Sequence, residues 1–157
     1  NQGITLDAIT IQNEPLNSKN TPSMQWLWTE QADFIKNNLG PAFNKAGLKT
    51  RIILFDHNCD RIDYPLSMLN DPEVSKYADG SGFHHYGGEI ASMTDLHIAR
   101  PDKNIYFTEQ MVVERPGDKN INIAAQVKRR PVERDIRRPP AQCCSCEWCC
   151  HNLLFLF

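Results

Sequence analysis

The stretch Thr50-Arg-Ile-Ile-Leu-Phe-Asp-His-Asn58 carries four apolar residues in succession and then turns polar at Asp56. An apolar run without alternation is the pattern of a strand covered on both faces, as in a parallel sheet packed by helices. Working outward, Ala8 to Asn13 is a β-branched run halted by Glu14-Pro15, because proline cannot continue a central ladder. Between the two runs, Thr21-Pro-Ser23 reads as a helix start. From Met24, the positions Trp28, Ala32, Ile35 and Leu39 recur at helical steps, with Gly40-Pro41 as an interruption and a continuation to Gly47. Downstream, Pro65 to Tyr77 reads as short helical pieces punctuated by Pro72, and Gly80 to Tyr86 as a strand followed by a Gly-Gly turn. Glu89 to Ala99 is a helix stopped by Pro101, Asn104 to Thr108 a strand running into Glu109, and Ile121 to Lys128 the start of another helix. Strand and helix in alternation predict an α/β fold built of βαβ units on a parallel sheet.

The 157 residues are 41% hydrophobic and 23% charged, with a net charge of −2. That balance argues against a protein that holds nucleic acid by bulk basicity, and against disorder for most of the chain. The average hides two compositions. Residues 1–125 hold 11 Lys and Arg against 16 Asp and Glu, while residues 126–157 hold 6 against 3. Five of the six cysteines fall between Cys143 and Cys150, leaving Cys59 alone in the body as an inert buried thiol. The sequence begins at Asn1 without a basic and apolar leader and holds no apolar run of membrane-spanning length, so no signal peptide and no membrane span are expected, and the chain reads as the inside of a longer protein.

Parallel sheets of this kind bind substrate beyond the carboxyl ends of their strands. The four exits are Gln12-Asn-Glu14, Asp56-His-Asn58, His84-His-Tyr86 and Glu109-Gln110, each polar or ionisable. A purely structural sheet has no use for such groups at every exit, since buried charges cost several kcal/mol unless paired. Glu14 and Glu109 stand 95 residues apart, three strand-to-strand steps of about 32 residues. In an eight-stranded barrel they would face each other across the mouth, where carboxyl groups about 5 Å apart act as nucleophile and general acid/base on a glycosidic bond. Taken singly, either glutamate reads as a surface ion at the start of a loop; the company of the polar exits and of Asn-Glu-Pro weighs against that. Alternation also places Ala8, Thr10, Gln12 and Glu14 on one face. His57 and His85 divide between a site role and simple capping or packing, and Trp26 and Trp28 read as core or helix-face residues.

Thr10-Ile-Gln-Asn-Glu-Pro-Leu16, Ile53-Leu-Phe-Asp-His-Asn58, Gly82-Phe-His-His-Tyr-Gly-Gly88 and Tyr106-Phe-Thr-Glu-Gln110, in this order, resemble the middle-to-late strands of glycoside hydrolase family 30, the glucosylceramidase and endo-β-1,6-glucanase family. The resemblance implies a retaining mechanism on a (β/α)8 TIM barrel, of which these are about strands four to seven. It matches Glu14 to the acid/base, Glu109 to the nucleophile and Asn13 to the residue that holds the sugar 2-hydroxyl. His84 and Tyr86 match a His-x-Tyr element whose tyrosine donates to the nucleophile, and Asp56 matches a position lining the sugar subsite. The substrate implied is a β-glucan or β-glucoside, with no cofactor, no metal, no nucleic acid, and secretion or a periplasmic location for a full-length member.

A complete barrel of this type needs about 250 residues and eight strands. Residues 1–129 are therefore expected to be a partial TIM-barrel catalytic domain, with two unpaired edges and doubtful activity on its own. Residues 130–157 read as an irregular tail rich in Arg, Pro and Cys, which an out-of-frame translation after Arg129 would produce. Cys146-x-x-Cys149 with His151 has zinc-ligand character, yet everything is crowded into one run rather than two separated ligand pairs. Two other functions compete with hydrolysis: a carbohydrate-binding remnant without catalysis, and a Cys-rich metal-binding protein.

Overall fold

The computed structural model describes residues 3–111. The expected helix at 121–128, the tail at 130–157 and the Cys146, Cys149 and His151 cluster lie outside the described residues. Within them the order is β1 (Ala8–Thr10), α1 (Trp28–Phe34), a π-helical turn (Ile35–Leu39), α2 (Gly40–Ala46), β2 (Arg51–Asn58), α3 (Asp63–Leu69), α4 (Pro72–Ser75), β3 (Ala78–His84), α5 (Ala91–Ala99) and β4 (Asn104–Glu109). The strands form one sheet in the order β1-β2-β3-β4, every neighbour parallel. This is the parallel sheet expected from the alternating pattern and the partial (β/α)8 barrel that the family resemblance implied, and no helix among the described residues is long and apolar enough to cross a membrane.

Helices cover one face of the sheet. Ile52, Leu54 and Phe55 of β2 and Phe83 of β3 pack with Ala32, Ile35, Tyr64, Met68, Leu69, Val74 and Leu96 in one core cluster. Ile52 to Phe55 are all buried, as the unbroken apolar run requires.

Besides β3, which runs Ala78–His84 rather than Gly80 to Tyr86, two elements differ from the pattern in the sequence. The first long helix begins at Trp28, not near Ser23. The backbone groups that would start it earlier are engaged elsewhere: Trp26 N–H donates to Pro15 O at 2.8 Å, Tyr64 Oη donates to Trp26 O at 3.1 Å, and Gln12 Nε2 donates to Met24 O. Glu30 then accepts from Leu27 N–H at 2.8 Å and closes the helix start. The Gly40-Pro41 interruption is bridged by the π turn, which lets the helix run through a proline that has no N–H to give. The other difference is β1, which stops at Thr10 instead of continuing to Asn13.

Gly40 sits where the Tyr77 ring crosses the helix; a Cβ there would lie 2.4 Å from Tyr77 Cγ. Gly40→Ala is expected to lower stability by about 1–3 kcal/mol in urea titration, the ring displacement outweighing alanine's better helix propensity. A stabilised variant would show the ring moves freely.

Candidate active site

All four exits converge on the imidazole of His84. At the first, Glu14 adopts φ 49, a left-handed backbone that ends the strand direction, and its N–H donates to Asp56 O at 3.0 Å. Its carboxylate accepts from Asn17 Nδ2 at 2.6 Å, Asn20 Nδ2 at 3.0 Å and His84 Nδ1 at 3.1 Å.

The second exit is bent by two successive left-handed residues, Phe55 (φ 71) and Asp56 (φ 58), at a register shift against β3. A bulge of this kind re-aims side chains. Strict alternation would put Phe55 on the face of Ile53 and Asp56 on that of Leu54. Instead, Phe55 stacks near Tyr64 and Phe83 in the helical core, at centroid distances of 5.2 and 5.7 Å. Asp56 turns to the other face, where it accepts hydrogen bonds from His84, Thr108 and Thr10.

A second register shift acts on β4. Phe83 pairs with Phe107 but His84 pairs with Glu109, so Thr108 is skipped. Glu109, which alternation would send to the face of Phe107, comes instead to the side of His84, with Oε2 3.9 Å from His84 Nε2. The Tyr86 hydroxyl donates to Glu109 and accepts from Met111 N–H at 2.6 Å.

His84 is fully buried, and both ring nitrogens face carboxylate oxygens: Nδ1 toward Glu14, Nε2 toward Asp56 at 3.0 Å and Glu109. Ionised carboxylates only accept, so carboxylates on both sides of the ring favour a proton on each nitrogen. Burial alone would lower the pKa of this ring, yet the contacts with Asp56, Glu109 and Glu14 hold it above its ordinary value. Burial likewise pushes Asp56 up, but the donors His84, Thr108 and Thr10 bring it below the usual carboxylate range. For Glu14 the same opposition between burial and the donors Asn17 and His84 also ends below the ordinary value. One imidazolium thus gathers three carboxylates.

The nearest ligand atoms of Glu14, His84 and Glu109 all lie within 4.8 Å of one another. Two carboxyl groups at about 5–5.5 Å suit direct attack by one of them on a sugar held between them, whereas about 6.5–9.5 Å leaves room for water. The same trio is the His and carboxylate cluster among the described residues with metal-ligand spacing. With carboxylates against both nitrogens, the ring would have to release a proton before it could ligate a metal.

The family model "glycosyl hydrolase family 30 TIM-barrel domain" matches residues 1–138. The chain belongs to glycosyl hydrolase family 30. An endo-1,6-beta-D-glucanase of Neurospora crassa is 40% identical over 111 residues, 69% of this chain and 23% of that protein. The lysosomal acid glucosylceramidase of Mus musculus is 24% identical over 134 residues, 78% of this chain and 26% of that protein. The solved structure of the endo-beta1,6-glucanase BT3312 superposes with a TM-score of 0.70 at 40% identity, over 71% of this chain and 26% of that one. The chain spans about a quarter of the length of the family 30 proteins it matches.

Within this family 30 chain, the structure brings Glu14, Asp56, His84, Tyr86 and Glu109 together. Asp56, expected to line a sugar subsite, is 6% exposed and faces His84, Thr10 and Thr108. Asn13 is exposed and stands outside the hydrogen-bonded cluster. His57 is half-buried, its Nδ1 unpartnered among the described residues, and burial lowers its pKa. His85 points away and stacks on Phe107 at 4.4 Å. Cys59 is buried, donates to His84 O at 3.6 Å, and has its thiol pushed up to about 11 by burial and by Asp60. Asn17, Asn20 and Thr108 escaped the sequence reading, and Asn58 was named there only as part of the polar second exit. The two asparagines following Glu14 at three and six residues were the only signal for any of them.

Proposed function

We propose that this chain carries the catalytic pair of a retaining O-glycosyl hydrolase acting on β-glucosides, with β-1,6-glucan as substrate. The carrying observation is the carboxylate separation, with Glu14 and Glu109 oxygens within 4.8 Å. In the first step, Glu109 attacks the anomeric carbon, the glycosidic C–O bond breaks, and a proton from Glu14 goes to the departing oxygen. In the second, Glu14 takes a proton from water, the water oxygen bonds to the anomeric carbon, and Glu109 is released as a carboxylate.

Glu14 rests ionised, which suits the base of the second step. For the first it must acquire a proton, and His84 Nδ1–H stands 3.1 Å from its Oε1. Tyr86, donating to Glu109, aims that carboxylate. The identity to the Neurospora crassa glucanase favours β-1,6-glucan over glucosylceramide. A polymeric glucan substrate places the full-length protein outside the cytoplasm, secreted or periplasmic.

A glucose-configured cyclitol epoxide tests the reading, because a nucleophilic carboxylate opens the ring and stays esterified. Peptide mapping by mass spectrometry is expected to find the ester on Glu109, with protection by a β-1,6-linked glucose oligomer. An ester elsewhere overturns the assignment. Binding of the oligomer, followed by NMR titration, without any ester on the chain favours the carbohydrate-binding remnant.

A further inference from the structure

Tyr86 is 44% exposed, at the start of a loop beyond the last β2–β3 pair, Asn58 with His84. An exposed tyrosine on a loop has rotamer and backbone freedom, and holding its hydroxyl on Glu109 requires something to fix its main chain. The side chain of Asn58 does this. Its Oδ1 accepts from Tyr86 N–H at 3.1 Å, taking the place of a backbone carbonyl one step past the end of the ladder. Beside it, Cys59 N–H donates to Gly87 O at 2.9 Å. Gly88, at φ 80, lies so close to the Cys59–Asp60 backbone that a Cβ would stand 2.2 Å from Asp60 N. Gly87 rests against the Asn58 carboxamide, a Cβ there lying 3.6 Å from its Cγ. The exit of β2 is therefore a seat for the loop after β3, and Tyr86 passes that placement on to β4 through Glu109 and Met111 N–H.

We propose that Asn58 is a positioning residue for Glu109, acting through Tyr86: its carboxamide oxygen fixes the Tyr86 main chain, and the Tyr86 hydroxyl then fixes the Glu109 carboxylate. The inference rests on the reading of Glu109 as nucleophile, but its test does not need turnover. In the 157-residue chain, the Tyr86 ring carbon that bears the hydroxyl is followed by NMR through a pH titration, and amide exchange is measured at Tyr86 and at Leu54.

Asn58→Ala is expected to speed exchange at Tyr86 N–H tenfold or more while Leu54 stays protected. The Tyr86 phenol, raised in the native chain by burial and by Glu109, should move back toward its ordinary value. Asn58→Asp keeps the acceptor and should preserve slow exchange and the raised phenol. Asn58→Ser, too short to reach Tyr86 N–H, should behave like Ala and serves as the reading where Ala does not fold. Unchanged exchange and titration in the folded Ala or Ser variant overturn the inference. Failure of the epoxide to label Glu109, with the Asn58 effects intact, would strike the nucleophile assignment and leave the Asn58–Tyr86 linkage standing.

Discussion

Glu109→Gln is expected to reduce hydrolysis of an aryl β-glucoside by a factor on the order of 10⁴ or more, the scale of losing a nucleophile. Glutamine keeps the shape and the hydrogen bond to Tyr86 but cannot form the glycosyl ester. Glu14→Gln should behave differently. Its loss on an alkyl glucoside is expected at about 10²–10⁴-fold, the usual worth of general acid catalysis, and should shrink for a dinitrophenyl glucoside, whose leaving group departs without a proton. The measurement is steady-state hydrolysis by the chain and by the same strands completed to an eight-stranded barrel. Equal rates for the completed wild type and either glutamine variant would remove the two glutamates from the chemistry.

The second large effect is on stability. His84→Phe leaves Asp56, 6% exposed, without its cationic partner, and removing one member of a buried pair costs about 3–5 kcal/mol. The pH dependence follows from the directions of the shifts. The folded pKa of His84 lies above its ordinary 6.5, so its contribution is complete below that pH and fades as pH rises through the folded value. Asp56 and Glu14 lie below their ordinary 3.8 and 4.5, so their contributions hold above those values and fade as pH falls through the folded ones. The combined contribution of His84, Asp56 and Glu14 to stability should therefore be greatest between about 4.5 and 6.5. In His84→Phe the decline on the alkaline side of that window should be missing, and the deficit should narrow at low pH as the stranded Asp56 takes up a proton. His84→Phe combined with Asp56→Leu should recover most of the loss. Urea titrations at pH 5 and pH 8 check all three; a single variant within 1 kcal/mol of native would show that the pair is not a unit.

The sheet was legible because its signal is coarse. Ile52 to Phe55 cannot be half-exposed, and a polar residue at each exit is improbable without a use. The aim of the site residues was not legible. Alternation sends Asp56 and Glu109 to the helical side, and only the register shifts at Phe55 to His57 and at Phe83 to His84 return them to the same face as His84. A bulge depends on where the neighbouring strand makes its hydrogen bonds, which no single segment encodes. The start of α1 was misread for a similar reason: Met24 and Trp28 have helical spacing, but the backbone groups of Met24 and Trp26 are taken by Gln12, Pro15 and Tyr64, distant in sequence.

Glu14 rides on a strand of three residues, joined to the sheet by the pairs Ala8 with Arg51, Ile9 with Ile52 and Thr10 with Ile53. Glu109 belongs to a longer strand paired with β3 at Asn104, Ile105, Tyr106, Phe107 and Glu109 itself. Segments with few ladder bonds open at lower free energy than the strands behind them. On warming, β1 would detach while β2 to β4 still held together, parting the two carboxylates in a molecule that any probe of the core would score as native. If the two glutamates act as proposed, heat tolerance of hydrolysis by these four strands should follow the shortest of them, and lengthening that one pairing is expected to raise the working temperature with little change in the melting of the core.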